Sequence, residues 1–144
     1  MFFGSGNAFS VKSNKSRKSK KKIKNVKFTK KAMKKLSLLE IKNISKNDSI
    51  WKYSNPITSQ NKSNHYLGKK RGKLYRSTNK NKKYMIYDDI QHKFVSFGQM
   101  KYEDFTKHKS RKRRKNYLTR SAKIRGDWRK NPFSANNLSR IILW

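Results

Sequence analysis

The chain has 144 residues, and its 40 Lys and Arg against seven Asp and Glu give a formal net charge of +33. A hydrophobic fraction of 33% is too low for a compact globule of this length, and so high a charge requires a polyanionic partner or a highly charged assembly. Cysteine is absent, which excludes disulfides and thiolate metal sites.

The basic charge is unevenly distributed along the chain. Residues 1–82 carry +22 and residues 83–144 carry +11. The longest apolar run, at 141–144, is too short for a membrane span, and the first residues lack the basic and apolar regions of a secretory signal. The start of the chain is rich in lysine and serine, which differs from the arginine-rich pattern of transit peptides. We predict an extended basic arm over 1–82 and a small α+β head over 83–144.

The most basic segment runs from Lys12 to Lys35, where 13 of 24 residues are Lys or Arg and none is acidic. Such charge density holds an isolated chain open. A solvated tail and an arm ordered by its partner both fit, and the scattered large apolar residues favour the arm. The predicted polyanion- or partner-binding bases are Lys12, Lys15, Arg17, Lys18, Lys20, Lys21, Lys22, Lys24, Lys27, Lys30 and Lys31. Side chains predicted to fill pockets on a partner are Ile23, Val26, Phe28, Trp51, Tyr53 and Tyr66.

Two further segments complete the predicted arm. Residues 30–44 favour a short helix capped by Thr29, although alternation around Leu38 also permits a strand. The helix would carry an apolar stripe of Met33, Leu36, Leu39 and Ile44. Residues 45–82 are rich in Ser, Asn and Lys and contain Asn55-Pro56, which predicts a loop on an extended path.

The head begins with a predicted β-hairpin. Residues 84–87 and 94–97 favour two short strands, residues 88–92 a polar turn, and Gly98 ends the second strand. A hairpin alone is marginally stable in water, so it needs a covering element.

A predicted helix over residues 111–125 supplies that cover, with Ser110 as N-cap and Gly126 after its end. Its apolar face would consist of Tyr117, Leu118, Ser121 and Ile124. Its first five residues form the predicted basic run, Arg111, Lys112, Arg113, Arg114 and Lys115. After a turn at Asn131-Pro132, a helical turn capped by Ser134 would bring Leu138, Ile141, Ile142 and Trp144 into the same core.

The head contains carboxylates and a histidine that invite a catalytic or metal-binding interpretation. Glu103 and Asp104 are adjacent, and neighbours rarely aim at one reacting atom, so we expect ion pairs with the basic run 111–115. His108 lies four residues after Asp104, but the separations of His65 and His92 from His108 do not match the spacing of metal-ligand pairs. We therefore predict a non-enzymatic protein with no catalytic residue, metal or cofactor.

Nucleic-acid binding is consistent with the same residues. Lysine-rich segments neutralise phosphates, and interspersed aromatic rings stack on bases. The sequence contains no zinc finger, basic zipper or paired-helix motif that reads a DNA groove. Any such binding should be strongly salt-dependent and almost free of sequence preference.

The head resembles an uncharacterised small basic domain family of nucleocytoplasmic large DNA viruses, found among mimivirus relatives and algal viruses. After a lysine-flanked hairpin, the matching residues are Phe97-Gly98, Tyr102, Asp104-Phe105-Thr106, His108-Lys109, Arg113-Arg114, Tyr117, Arg120, Trp128 and Leu143-Trp144. The chain has Ser110 where the family tends to have Asp, and Ser121 where it often has His. The resemblance covers 83–144, and it implies a viral setting rather than an activity.

Three functional hypotheses follow. The first is a structural virion protein, a minor capsid or cementing protein made in the host cytoplasm. Its arm would contact capsid or other virion proteins or an acidic inner surface, and peripheral membrane contact is compatible with it. The second is a sequence-nonspecific DNA- or RNA-binding protein that condenses or packages the genome. A ribosomal or ribonucleoprotein component has the same composition, but the sequence contains no matching motif.

Overall fold

A three-stranded antiparallel sheet lies at the centre of the computed structural model, which describes residues 28–144. The strands, in spatial order, are β1 (Leu74–Arg76), β2 (Lys82–Asp88) and β3 (Lys93–Gln99). The helices are α1 (Lys30–Leu38), α2 (Pro56–Leu67), α3 (Phe105–His108), α4 (Arg111–Ser121) and α5 (Ala135–Leu138). Helix α5 continues into a π-helical turn at Ser139–Leu143, and short 3-10 turns lie at Ile41–Asn43, Ser49–Lys52 and Trp128–Lys130. The predicted α+β class is confirmed.

The predicted hairpin is confirmed as β2 and β3. Tyr84 lies opposite Phe97 in the register, and both side chains are fully buried. The Asp88 side chain accepts hydrogen bonds from the N–H groups of Ile90 and Gln91 at 2.9 and 3.0 Å. This side chain therefore starts the turn that reverses the chain.

The hydrophobic core draws on nearly the whole described chain. Its buried members are Ile50, Leu74, Tyr84, Ile86, Phe97, Phe133, Leu138, Ile142 and Leu143. Two of them precede the predicted boundary at residue 82, and β1 pairs with β2 directly across it. Residues 45–82 were predicted as a loop, and that prediction is wrong, because they supply a helix, an edge strand and two core side chains.

Helix α2 is the main element that the sequence failed to predict. The Asn55 side chain accepts hydrogen bonds from the N–H groups of Ile57 and Thr58, and Pro56 occupies the first turn, where its missing N–H costs nothing. The buried positions after the proline are Ser59 and Ser63 rather than large apolar residues, so apolar periodicity is weak.

These serines let α2 pack against main chain. The Ser63 hydroxyl donates to the Gly72 carbonyl at 2.6 Å, and a Cβ atom on Gly72 would lie 2.5 Å from the Ser63 carbonyl oxygen. Small residues on both sides of this contact allow a close approach that larger side chains would prevent.

Helix α1 is confirmed in part. Thr29 caps it as predicted, accepting from the Ala32 N–H at 3.1 Å, but the helix ends at Leu38 because the chain then joins the sheet edge. There the Arg76 N–H donates to the Leu39 carbonyl, and Glu40 forms a β-bridge with Tyr75. The predicted apolar stripe does not form a buried face, since none of the residues of α1 is buried.

Gly98 positions the last turn of the chain against the sheet. Its φ is +80°, and a Cβ atom there would lie 2.7 Å from a Leu143 side-chain carbon. Leu138 and Ile142 are buried as predicted, whereas Ile141 is 38% exposed and Trp144 is half-buried. The π-helical geometry after Leu138 accounts for the difference, because it shifts the side chains relative to an α-helix.

None of the helices within residues 28–144 combines the length and the apolar character that a bilayer crossing needs.

Candidate polyanion-binding surface

Helix α4 is fixed mainly through its C-terminal half. The Arg140 guanidinium donates to the Leu118 carbonyl at 2.7 Å, and Arg129 donates to the Ala122 carbonyl at 2.7 Å. The Asn136 amide donates to the Ser121 carbonyl at 3.2 Å. Cations at the negative end of a helix dipole are stabilising, so this end is both anchored and electrostatically favourable.

The N-terminal half of α4 is very different. Its first five residues, Arg111 to Lys115, are all basic and all exposed. Ser110 is the N-cap, as predicted, and accepts from the Arg113 N–H at 3.3 Å. The N-terminus is the positive end of the helix dipole, so positive side chains there interact unfavourably with the dipole. They also repel one another, and both effects destabilise the helix.

Two of the five bases have partners within the described residues. Arg113 lies 3.7 Å from Glu103, and both side chains are about half exposed. Arg114 lies over the Phe105 ring at 5.5 Å and donates to the Trp144 main-chain oxygen. Arg111, Lys112 and Lys115 form no ion pair with residues 28–144. We call these three side chains the outer face of α4.

Carboxylates do not neutralise this surface. Residues 105–130 contain twelve Lys and Arg, all exposed, and Asp127 as their single acid. Elsewhere in the described chain Asp48, Asp89 and Glu40 pair with Arg76, Arg71 and Lys73, and Asp88 is buried in the hairpin turn. Residues 28–144 carry +24 of the net charge, and α4 lies in their most basic stretch.

Asp104 does not pair with the basic run as predicted. Its side chain is fully buried, lies 3.1 Å from the Lys83 ammonium group and accepts from the Thr106 N–H at 3.0 Å. Lys83 also donates to the Tyr102 carbonyl at 2.6 Å. Burial lowers the pKa of Lys83, and the charge of Asp104 opposes that shift. Of the two predicted ion pairs with α4, therefore, the one from Glu103 is found and the one from Asp104 is wrong.

The buried pair belongs to a larger polar network. The Tyr84 hydroxyl donates to Ser54 at 2.8 Å, and the Ser54 and Thr106 hydroxyls lie 3.1 Å apart. Thr106 in turn donates to Asp104, and burial raises the pKa of Tyr84. This network joins β2, the start of α2 and α3, so Asp104 has a structural role.

His108 lies beside α4 and faces aromatic rings. Its Nδ1 accepts from the Ser110 N–H at 2.9 Å, and its ring lies 5.2 Å from that of Trp144. Burial, with a contribution from Arg113, lowers the pKa of His108, which favours the neutral ring. Within residues 28–144, no three His, Asp or Glu side chains converge as metal ligands.

Of the four side chains within residues 28–144 that were predicted to enter pockets on a partner, three pack against this chain itself. Phe28 packs edge-on against Tyr87 at 5.5 Å, and Trp51 and Tyr66 pack against the core. Tyr53 is half-buried. These contacts account for the packing of Phe28, Trp51 and Tyr66 within this chain, and their entry into pockets on a partner stays a prediction.

Two of the predicted arm bases, Lys30 and Lys31, are exposed on α1. The remaining predicted arm residues lie outside the described residues: Lys12, Lys15, Arg17, Lys18, Lys20, Lys21, Lys22, Ile23, Lys24, Val26 and Lys27.

The aromatic residues that carry the family resemblance differ in their burial. Phe97 is fully buried, but Tyr102 is 66% exposed. Tyr117 and Trp144 stack on each other with centroids 4.2 Å apart and an interplanar angle of 8°. Trp128 is half-buried, and the guanidiniums of Arg129 and Arg140 lie 4.2 and 5.4 Å from its ring.

Two arginines of this region were given no structural role from the sequence, although Arg120 is among the residues of the family resemblance. Arg140 anchors the C-terminal end of α4 from 22 residues away, a separation that local patterns do not reveal. Arg120 lies over the Tyr117 ring at 5.7 Å, and its spacing of seven residues from Arg113 was the available signal, since it places both on one helix face. Ile124, predicted to be apolar core, is 51% exposed because α4 ends at Ser121.

The comparisons with known proteins place this surface within one family match. Residues 72–121 match the model of a family described as a family of unknown function (DUF5754). The matched residues include all three strands and the whole of α4. The match covers about one third of the chain, and its description gives no activity, ligand or source. No curated protein and no solved structure matches the chain.

Proposed function

We propose that the chain is a non-enzymatic, sequence-nonspecific nucleic-acid-binding protein that contacts phosphates through the outer face of α4. The observation that carries this proposal is the placement of five exposed bases at the positive end of a helix dipole, with few partners. Three of them, Arg111, Lys112 and Lys115, form no ion pair with residues 28–144, and positive charge at this end destabilises the helix unless anions bind. Phosphates spaced along a strand are anions of the appropriate kind.

The test is binding to duplex DNA over a series of NaCl concentrations. For the wild type, the affinity should fall linearly with log salt, with a slope of about −0.9 for each phosphate contacted. The variant Arg111→Gln/Lys112→Gln/Lys115→Gln should bind more weakly and lose about two to three units of that slope. These side chains are exposed, so the fold should be retained.

The matched control is Lys42→Gln/Lys46→Gln/Lys69→Gln, which removes the same charge from a separate groove. It should keep most of the slope, since a charge acts on phosphates within about a Debye length, about 10 Å at 0.1 M salt. If both triple variants lose affinity equally, the surface on α4 is the wrong one. Absence of binding at low salt would remove the proposal altogether.

A structural role in a virus particle is the second candidate. The observation that favours it is a groove of about 1090 Å³ with apolar residues Ile41, Ile44, Trp51 and Ile57 and a lysine edge. Exposed apolar grooves are typical of protein contacts. The viral setting rests on the sequence resemblance, so the test is mass spectrometry of purified particles. Particles that lack the protein would exclude this role, and nucleic-acid binding would be unaffected.

A further inference from the structure

A pocket of about 650 Å³ lies beside α4, within the range of about 300–1,000 Å³ that small-molecule sites occupy. One wall is a single face of the helix: Arg113, Asn116, Tyr117 and Arg120 follow the spacing i, i+3, i+4, i+7. The outer face of α4 lies on the same helix but does not line the pocket. The helix thus presents one basic surface to solvent and one mixed surface to the pocket.

The opposite side of the pocket is formed by the π-helical turn, a rare backbone conformation. The π-helical turn contributes Ser139 and Leu143, and the Trp144 N–H donates back to the Ser139 carbonyl at 3.1 Å. Single π-helical turns occur frequently at functional sites. Because Gly98 has no side chain, the π-helical turn can approach β3 closely, and this close approach shapes the pocket.

Aromatic rings suited to stacking line the pocket. Tyr102 contributes a ring that is 66% exposed and therefore accessible to a ligand. Tyr117 and Trp144 supply the stacked pair deeper in the protein. Stacking on an aromatic ring is the common way in which proteins hold an unpaired base.

The polar groups of the pocket include several that can form hydrogen bonds with the edge of a base. The side-chain amides of Asn116 and Gln99 line it, and amides both donate and accept. The Glu103 carboxylate also lines it, 3.7 Å from Arg113, which lines the pocket together with Arg120. A carboxylate accepts well from the exocyclic amino group of cytosine.

We infer that this pocket receives one unpaired base of a single-stranded nucleic acid, while the neighbouring phosphates follow the outer face of α4. The inference rests on the proposed function and adds a preference for single strands over duplex. A base inside a duplex is already paired and stacked on both faces, so it cannot enter without being extruded. A base in a single strand enters at much lower cost.

The experiment measures binding of oligocytidylate strands of about 12 nucleotides, as DNA and as RNA, and of a DNA duplex. Tyr102→Ala should weaken binding of at least one of the single strands on the order of tenfold, the loss typical of one stacked base. Tyr102→Phe is the matched control and should bind like the wild type. Duplex binding should be the same in all three proteins. Because Tyr102 is exposed, these variants should fold normally.

The outcomes separate this inference from the proposed function. If Tyr102→Ala leaves both single strands unaffected, or weakens the duplex equally, the pocket does not hold a base. The outer-face variant should still weaken single strands and duplex alike. If the wild-type protein binds no nucleic acid at low salt, the proposed function fails, and this inference fails with it.

Discussion

Lys83 and Asp104 form an ion pair in the interior of the fold. Both side chains are nearly inaccessible to solvent, at 3% and 0%, and their charged atoms lie 3.1 Å apart. A buried pair of this kind is weak evidence for net stabilisation, because desolvation offsets much of the attraction. Loss of one partner is different, because it leaves the other charge buried and uncompensated.

We therefore expect Asp104→Asn to lower the free energy of unfolding by about 3–5 kcal/mol, measured by urea denaturation. Asparagine can still accept from the Thr106 N–H, so the effect is assigned to the charge rather than to the helix cap. The double variant Lys83→Met/Asp104→Asn should recover a large part of the loss. Strictly additive losses would show that the pair is not coupled.

The exposed pair of Glu103 and Arg113 offers the matched comparison. Its atoms lie 3.7 Å apart and its side chains are 42% and 53% exposed. Glu103→Gln should therefore change the free energy of unfolding by less than about 1 kcal/mol. A loss as large as that of Asp104→Asn would contradict the assignment of the structural role to the buried pair.

The charges at the C-terminal end of helix α4 interact favourably with the helix dipole, and those at its N-terminal end interact unfavourably. Arg129 and Arg140 bind its last carbonyl groups, whereas five bases occupy its positive end. The same charges that we propose to bind phosphate should therefore reduce the stability of the free protein. Functional sites are commonly places where stability is given up.

Arg111→Gln/Lys112→Gln should accordingly raise the free energy of unfolding, by a few tenths to about 1 kcal/mol, as repulsion with the helix dipole is removed. Thermal denaturation at low ionic strength is the measurement. Lys123→Gln is the control of opposite sign: Lys123 follows the C-terminal end of α4, where a cation is favourable, so its loss should not stabilise. Destabilisation by the double variant would show that these bases support the fold.

The elements differ in how far the sequence predicts them. The β2–β3 hairpin and the caps at Thr29, Ser110 and Ser134 were predictable because each depends on residues close in sequence. Helix α2 was missed because its buried positions are serines, although Asn55-Pro56 is a strong start signal. Apolar periodicity cannot detect a helix that packs through small polar residues.

The candidate site was predictable to a similar extent. The basic run of α4 was evident from the sequence, and Glu103 was expected to pair with it. The burial of Asp104 was not, since its partner Lys83 lies 21 residues earlier on another element. Nor did the sequence predict the pocket, which forms only where β3, α4 and the π-helical turn meet.

The whole protein is more than a basic arm with a small head. Ile50 and Leu74, from the segment predicted as an arm, are fully buried, and β1 pairs with β2 across the predicted boundary. Residues 28–82 therefore contribute to the same folded unit as residues 83–144. The polyanion-binding function that the sequence assigned mainly to the arm extends, in our proposal, to the surface of the folded unit.

A molecule with a net charge of +33 should show opposite salt dependences of folding and of binding. Self-repulsion among the bases destabilises the compact state, and salt screens it as the Debye length falls from about 10 Å at 0.1 M to about 3 Å at 1 M. The melting temperature of the free protein should therefore rise with NaCl. The outer-face variant, which carries less repulsion, should show a smaller rise.

Bound DNA should reverse this trend. At low salt, DNA should raise the melting temperature because it binds the folded state and replaces counterions around the bases. That increment should shrink as NaCl rises, until the curves with and without DNA converge. Differential scanning fluorimetry across one salt series measures both effects. A melting temperature of the free protein that falls with NaCl would mean that its five ion pairs, rather than repulsion among its bases, dominate the electrostatics of residues 28–144.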